Sequence, residues 1–323
     1  MSRILVTGVA GFIASTTAAR LLADGHLVVG IDSLNDSYDV RLKRARLDTL
    51  LPSPQFSFHQ VDVEDFANVR ALFERYPFDA VIHLAGRCGV RTSMDNPRLY
   101  VATNTVGTLH VLEAMRHSDV RKLVFSSTSS LYAGQPTPFV ETLPVNTPIS
   151  PYAASKKAAE MLTFTYHRLF GFDVTVLRYF TVYGPAGRPD MSPFRFIRWI
   201  DEGQPVELFG DGTQRRDFTF VDDIAAGTVA AMKPLGHEII NLGGGRRSWT
   251  LNEMIDLMEK RLGKCAKVER RPVHKTDMTE TLADVSKAAK LLGWHPTIDL
   301  PEGLDRTIQW YRDNHAWVRD IQL

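Results

Sequence analysis

Short runs of consecutive apolar residues, rich in Val, Ile and Leu, recur at positions 4–7, 27–31, 56–61, 80–84, 123–126 and 174–179. Runs that are apolar at successive rather than alternate positions suit strands covered on both faces, as in a parallel sheet. Between them the apolar spacing changes to the helical period, at 12–23, 69–75, 104–116 and 153–169. This strand and helix alternation predicts an α/β chain with a Rossmann-like, doubly wound parallel sheet. Beyond Gly184 the pattern loosens into segments punctuated by Pro and Gly, with one more strand at 238–242 and helices near 251–262 and 300–315. The expected division is a dinucleotide-binding domain over 1–181, joined by about 219–245, and a smaller α/β substrate-binding cap lobe from 182–218 and 246–323.

Bulk properties narrow the partners. The chain has 323 residues and a formal net charge of +1, so no electrostatic argument favours nucleic acid or an acidic membrane. Its two cysteines, Cys88 and Cys265, are too few for a disulfide framework or a zinc site, and no apolar stretch approaches the length of a membrane span. A cytoplasmic protein without metal is the expectation.

After the first strand comes Thr7-Gly8-Val9-Ala10-Gly11-Phe12-Ile13-Ala14. Gly8 permits a tight turn, and Gly11 lets backbone amides approach a pyrophosphate at a helix start. Ala14 replaces the third glycine of the strict fingerprint and still allows close helix-to-strand packing. Asp32, at the end of the second strand, suits the adenosine ribose hydroxyls and repels a 2′-phosphate, which favours NAD over NADP. Asp62, after the third strand, is either an adenine contact or a cap.

Tyr152-Ala-Ala-Ser-Lys156 opens a helix, and the four-residue spacing puts the phenol and the ammonium on one face. A free phenol titrates at about pH 10, so a tyrosine base at neutral pH needs roughly 4 kcal/mol of stabilisation for its phenolate. The Lys156 charge and an oxidised nicotinamide are the two cations placed to supply it. The strand at 123–126 runs into Ser127-Thr128-Ser129-Ser130, whose hydroxyls fall at the strand edge where open α/β sheets bind ligands. His83 reads as a packed core histidine, with no second ligand at metal spacing.

A glycine turn, a hydroxyl-rich strand end and a Tyr/Lys pair, in this order, resemble the extended short-chain dehydrogenase/reductase family across essentially the whole chain. The resemblance implies a catalytic set of Thr128, Tyr152 and Lys156. It adds Phe12, Ile13, Val63, Leu84, Ala85 and Tyr179 to the cofactor site. Asn104 becomes a structural or active-site helper. The strings RYFTVYGPAGRPDM at 178–191, DSLNDSYD at 32–39 and LKRAR at 42–46 look like those of UDP-glucuronate 4-epimerases. UDP-galactose 4-epimerases resemble the chain too but carry Asn in place of Thr181, and decarboxylases and dehydratases carry acids at Ser129 or Ser130.

That likeness implies a neutral hydroxyl cluster of Ser129, Ser130 and Thr181 around a sugar carboxylate. It also implies Arg216, with Arg188 as a second candidate, on the diphosphate, and Phe209 and Asp277 on the substrate side. The implied reaction is NAD-dependent 4-epimerisation of UDP-glucuronic acid to UDP-galacturonic acid through a bound 4-keto intermediate, in a homodimer. The alternatives are 4-epimerisation of UDP-galactose or UDP-N-acetylglucosamine and, further off, decarboxylation of UDP-glucuronate or non-catalytic NAD sensing. One loop departs from the family's pattern, reading Ala85-Gly86-Arg87-Cys88-Gly89-Val90-Arg91 where relatives have AAQAGVR. Arg87 either adds a cation for a substrate phosphate or carboxylate, or points outward.

Overall fold

In the computed structural model, which describes residues 1–274 and 276–322, one sheet organises the chain. Its strands are β1 (Arg3–Thr7), β2 (Leu27–Asp32), β3 (Phe56–Gln60), β4 (Ala80–His83), β5 (Lys122–Thr128), β6 (Asp173–Tyr179) and a last strand at His237–Leu242. The spatial order is β3, β2, β1, β4, β5, β6 and the last strand, and every pairing is parallel. Thr7 lies between Ile31 of β2 and His83 of β4, at the point where the strand order reverses and where such sheets form their ligand crevice.

Both sheet faces are covered, which is why the strands read as continuous apolar runs. Ile4 and Val6 of β1 face a core shared with Ala14, Ala18 and Leu21 of helix α1 (Phe12–Ala23), while Leu5 faces the opposite core with Val111, Leu112 and Phe125. The expected helix at 104–116 is two things: a π-helical turn at Val101–Val106, then an α-helix at Gly107–Arg116. The helix Pro151–Phe170 starts where the Ser150 hydroxyl accepts from the Ala153 amide at 3.2 Å, with Pro151 in its first turn. It ends at Gly171, whose φ of 69° is left-handed.

A separate apolar core forms the cap, where helices Ser192–Glu202, Leu251–Leu262 and Leu300–Asp313 bury Phe194, Ile197, Met254, Met258, Leu304 and Ile308. Strands Pro205–Phe209 and Lys267–Arg271 pair in parallel beside it. Within the stretch 246–323, expected to belong to the cap, lies a further helix that the sequence pattern did not announce, Ser286–Leu292; it sends Ala288 into the sheet's core, joined there by Trp294.

Candidate active site

The cofactor cleft opens at the switch point. Gly8 has φ +70°, and a Cβ there would sit 2.8 Å from the Ala85 backbone, so the turn after β1 must be bare to lie against the loop after β4. Asp32 accepts from the Ala10 amide at 3.1 Å and the Leu34 amide at 2.8 Å, which fixes its carboxylate at the cleft wall. Gly8, Gly11, Asp32, Asp62, Val63, Leu84 and Ala85 line this cleft of about 100 Å³. Asp62 is both a lining residue and a turn former, accepting from the Glu64 amide at 2.9 Å. The bare turn, the helix start and the fixed acid fit a dinucleotide.

The cleft continues into a cavity of about 380 Å³ lined by Phe12, Ile13, Thr128, Ser129, Ser130, Tyr152, Lys156, Tyr179, Thr181, Arg188, Arg216 and Asp277. Residues from β5, the long helix, β6 and the cap thus meet in one space. The Tyr152 hydroxyl has the Cys88 thiol and the Thr128 hydroxyl as neighbours. Burial pushes this phenol far up and Cys88 adds to it, while Thr128 and Arg188 oppose the rise. Lys156 donates to the Ser126 carbonyl at 3.0 Å, and burial lowers its proton affinity against the pull of Cys88 and Glu160. The protein's own groups therefore leave the phenol protonated, and a further cation beside it is what would turn it into a base.

Thr128 also accepts from the Ser130 amide at 3.1 Å, which turns the chain out of β5 and into a 3-10 turn at Ser129–Tyr132. Asp277 is the one carboxylate lining the cavity among the described residues, and Arg91 neutralises it at 2.6 Å. Arg188 is forked onto Asp190 at 3.0 and 2.5 Å and reaches the Cys88 carbonyl at 3.4 Å. Arg216 faces the cavity, its Nη1 donating to the Arg215 carbonyl at 2.8 Å.

Two placements differ from the expectations, and Asn104 takes the structural one of the two roles left open for it. Arg87 lines the cofactor cleft with Asp32 and Asp62 and is not among the residues of the sugar-side cavity. Phe209 lies off the cavity wall; its ring carries the Arg91 guanidinium at 3.8 Å, so it reaches the site through the Arg91–Asp277 pair. Asn104 is fully buried, accepts from the Arg87 amide at 2.8 Å and donates to the Arg87 carbonyl at 3.0 Å and the Ser155 hydroxyl at 2.9 Å. It ties the loop to the Tyr152 helix.

His83 is fully buried between the Thr7 and Thr108 hydroxyls, and burial with the Lys156 charge pushes it down to about 3, so it stays neutral. Among the described residues no three His, Cys, Asp or Glu side chains gather to hold a metal ion.

Sequence reasoning missed a buried network behind the strand end. The Ser127 hydroxyl donates to Glu160 at 2.6 Å, Glu160 meets Arg178, and Arg178 donates to the Tyr132 hydroxyl at 2.8 Å, which donates on to Asn241 at 2.8 Å. The signal available was two charged residues in otherwise buried elements, since such groups are buried only when paired.

A bare turn at a sheet's switch point, a fixed acid after β2 and a Tyr/Lys pair beside a hydroxyl-lined cavity define a nucleotide-cofactor enzyme of the short-chain dehydrogenase/reductase kind. The family model described as NAD dependent epimerase/dehydratase family matches residues 4–243, and the chain belongs to that family. It is 55% identical over 323 residues to a UDP-glucuronate 4-epimerase of Thermodesulfobacterium geofontis, covering 100% of both chains. A crystal structure of UDP-glucuronic acid 4-epimerase from Bacillus cereus, in complex with UDP-glucuronic acid and NAD, superposes with a TM-score of 0.92 at 37% identity, covering 97% of this chain and 99% of that one. A UDP-glucose 4-epimerase from Thermotoga maritima, with UDP-glucose, gives a TM-score of 0.88 at 32% identity over 97% and 99%.

Proposed function

We propose that this chain inverts the 4-hydroxyl of UDP-glucuronic acid, giving UDP-galacturonic acid through a bound 4-keto sugar. The observation that carries the reading is the make-up of the cavity wall around Tyr152: Thr128, Ser129, Ser130 and Thr181 line it, and Asp277, the one lining carboxylate among the described residues, is already paired with Arg91. The 4-keto sugar of a glucuronate is a β-keto acid, prone to lose carbon dioxide when its carboxylate is desolvated and aligned with the carbonyl. Neutral hydroxyl donors hold the carboxylate in orientation and replace its water, without the charge or proton transfer that an acidic side chain would bring.

NAD bound in the cleft would supply the hydride acceptor at C4 and the donor for its return. Tyr152 removes the 4-hydroxyl proton and later gives it back, while Lys156 favours the phenolate and Thr128 holds the reacting oxygen. Arg216 grips the diphosphate while the sugar turns to present its other face, with Arg188 beside it; guanidinium recognises phosphate at two points. Ser129, Ser130 and Thr181 hold the carboxylate, and Asp277 serves the nucleotide side. The bound dinucleotide belongs to the sheet domain and the UDP-sugar to the cap.

Exposed Val101 and Val106 of the π-helical turn and Met161 and Phe164 of the long helix support a homodimer formed through this face. Among the described residues no helix is long and apolar enough to cross a membrane, and we place the enzyme in the cytoplasm. Incubation with UDP-glucuronate, followed by NMR of the sugar protons, should show the 4-epimer with no decarboxylated product. Preferential turnover of UDP-glucose would defeat the assignment. Sedimentation should give twice the chain mass, and cell fractionation should leave the enzyme with the soluble contents.

A further inference from the structure

The loop after β4 carries a cation that the reaction above does not use. Asn104 grips Arg87 by both its amide and its carbonyl, at 2.8 and 3.0 Å, so the backbone from which this side chain leaves is fixed. Gly86 before it is bare: a Cβ there would come within 2.9 Å of the Asn104 side-chain oxygen and 3.0 Å of the Lys156 ammonium. The Arg87 side chain lies in the cofactor cleft with Gly8, Gly11 and Asp32. Its Nε is buried and without a hydrogen-bond partner among the described residues.

Lys43, largely buried in the same cleft, donates to the Asn35 carbonyl at 2.7 Å and to its side-chain oxygen at 2.9 Å. Burial lowers its proton affinity, Asp32 opposes this, and the charges of Arg46 and Arg87 lower it further. Two cations thus stand close enough to repel one another at the wall of a cleft. A buried guanidinium N–H with no acceptor is costly, and a like charge beside Lys43 that Asp32 offsets only in part adds to the cost; an anion between the two cations lowers both.

We propose that Arg87, with Lys43, forms an anion hold for the phosphate groups of the dinucleotide, in addition to the backbone amides at the start of α1. The proposal rests on the reading of the cleft as an NAD site and reassigns Arg87 from sugar to cofactor. A guanidinium suits the task because it stays charged and presents a fork to phosphate oxygens.

The test needs no turnover. Purified enzyme is loaded with radiolabelled NAD, and release is timed during a chase with unlabelled NAD at low and at physiological salt. Arg87→Gln, which removes the charge and keeps a polar side chain, is expected to release NAD roughly tenfold faster at low salt, with the gap narrowing as salt screens the contact. Arg87→Lys should fall between the two, and thermal melts should show all three proteins folded. Calorimetry with UDP alone should give parental affinity in Arg87→Gln. Unchanged NAD release, or a loss confined to UDP, would overturn the proposal. Failure to turn over UDP-glucuronate with normal NAD retention would count against the sugar assignment and leave the anion hold standing.

Discussion

Glu160 and Arg178 meet behind the active-site strand in a two-point ion pair, both nitrogen-to-oxygen distances being 2.9 Å and neither side chain more than 2% exposed. Glu160 stands one turn beyond Lys156 on the long helix, and Arg178 is on β6. The Ser127 hydroxyl joins the same carboxylate at 2.6 Å, one residue before Thr128. Desolvating two charges offsets much of their attraction, so the pair adds little net stability, but it fixes β5, β6 and the Tyr152 helix in one register.

Removing one partner should therefore cost more than the pair contributes. Arg178→Met is expected to destabilise the protein by about 3 kcal/mol, because Glu160 is left buried with only the Ser127 hydroxyl and the Lys157 ammonium, at 3.5 Å, beside it. Glu160→Gln with Arg178→Met should recover much of that loss, read as denaturant midpoints of the three variants. Additive losses would show that the two residues do not act as a pair.

Tyr152→Phe keeps the ring against Tyr100, whose centroid lies 6.2 Å away, and removes only the hydroxyl. Epimerisation should fall about a thousandfold, within the range for loss of a positioned acid and base, with NAD retained. Initial rates by coupled assay and cofactor content by absorbance check this. Near-parental rates would place the base elsewhere.

The cofactor turn, Asp32, Thr128, Tyr152 and Lys156 were legible in the sequence because each belongs to a local pattern: a glycine turn after a strand, a strand end, a four-residue helical spacing. Arg87 was not, because a loop leaving the switch point can send a side chain to either side, and only the Asn104 clamp decides which. The Glu160–Arg178 pair joins different elements, and nothing in either one's neighbourhood announces the partner. The π-helical turn at Val101–Val106 left no trace because six residues at that pitch keep nearly the apolar spacing of an α-helix. Helix Ser286–Leu292 is too short for its apolar spacing to stand out within 246–323, and its small buried Ala288 lets it pack on the sheet core rather than with the cap.

Thr181 tests the carboxylate hold. Each hydrogen bond to a charged group contributes about 1.5–3 kcal/mol, so Thr181→Ala should weaken UDP-glucuronate binding roughly 10- to 100-fold. Freed from one donor, the 4-keto acid should also lose carbon dioxide, giving a pentose product by NMR that the parent does not form. Turnover of UDP-glucose, which has no carboxylate, should change by less than about threefold; an equal loss on both sugars would mean that Thr181 supports the cavity rather than the acid group.

Asp217, next to Arg216, is fully buried and accepts from the Ala283 amide at 2.8 Å and the Gly245 amide at 3.2 Å, while its Oδ1 has no partner among the described residues. Its own carbonyl accepts from the Thr181 amide at 3.2 Å, so this one residue links the cap's arginine strand to the glycine run after the last strand of the sheet. Burial pushes the carboxyl up to about 6 against those backbone donors, with no charged side chain among the causes. A carboxyl raised on folding binds its proton more tightly in the native state than in the unfolded chain. Its contribution to stability is thus greatest when it is protonated, and it declines as pH rises from near 4 to about 6, beyond which it is constant. Asp217→Asn removes this decline while keeping a side-chain oxygen for the two amides. Relative to the parent, the variant should gain by up to about 3 kcal/mol between pH 4 and pH 7, from two decades of pH at 1.36 kcal/mol each. Urea midpoints at several pH values measure it, and a stability difference that stays flat across that range would mean Asp217 ionises in the fold as it does in the open chain.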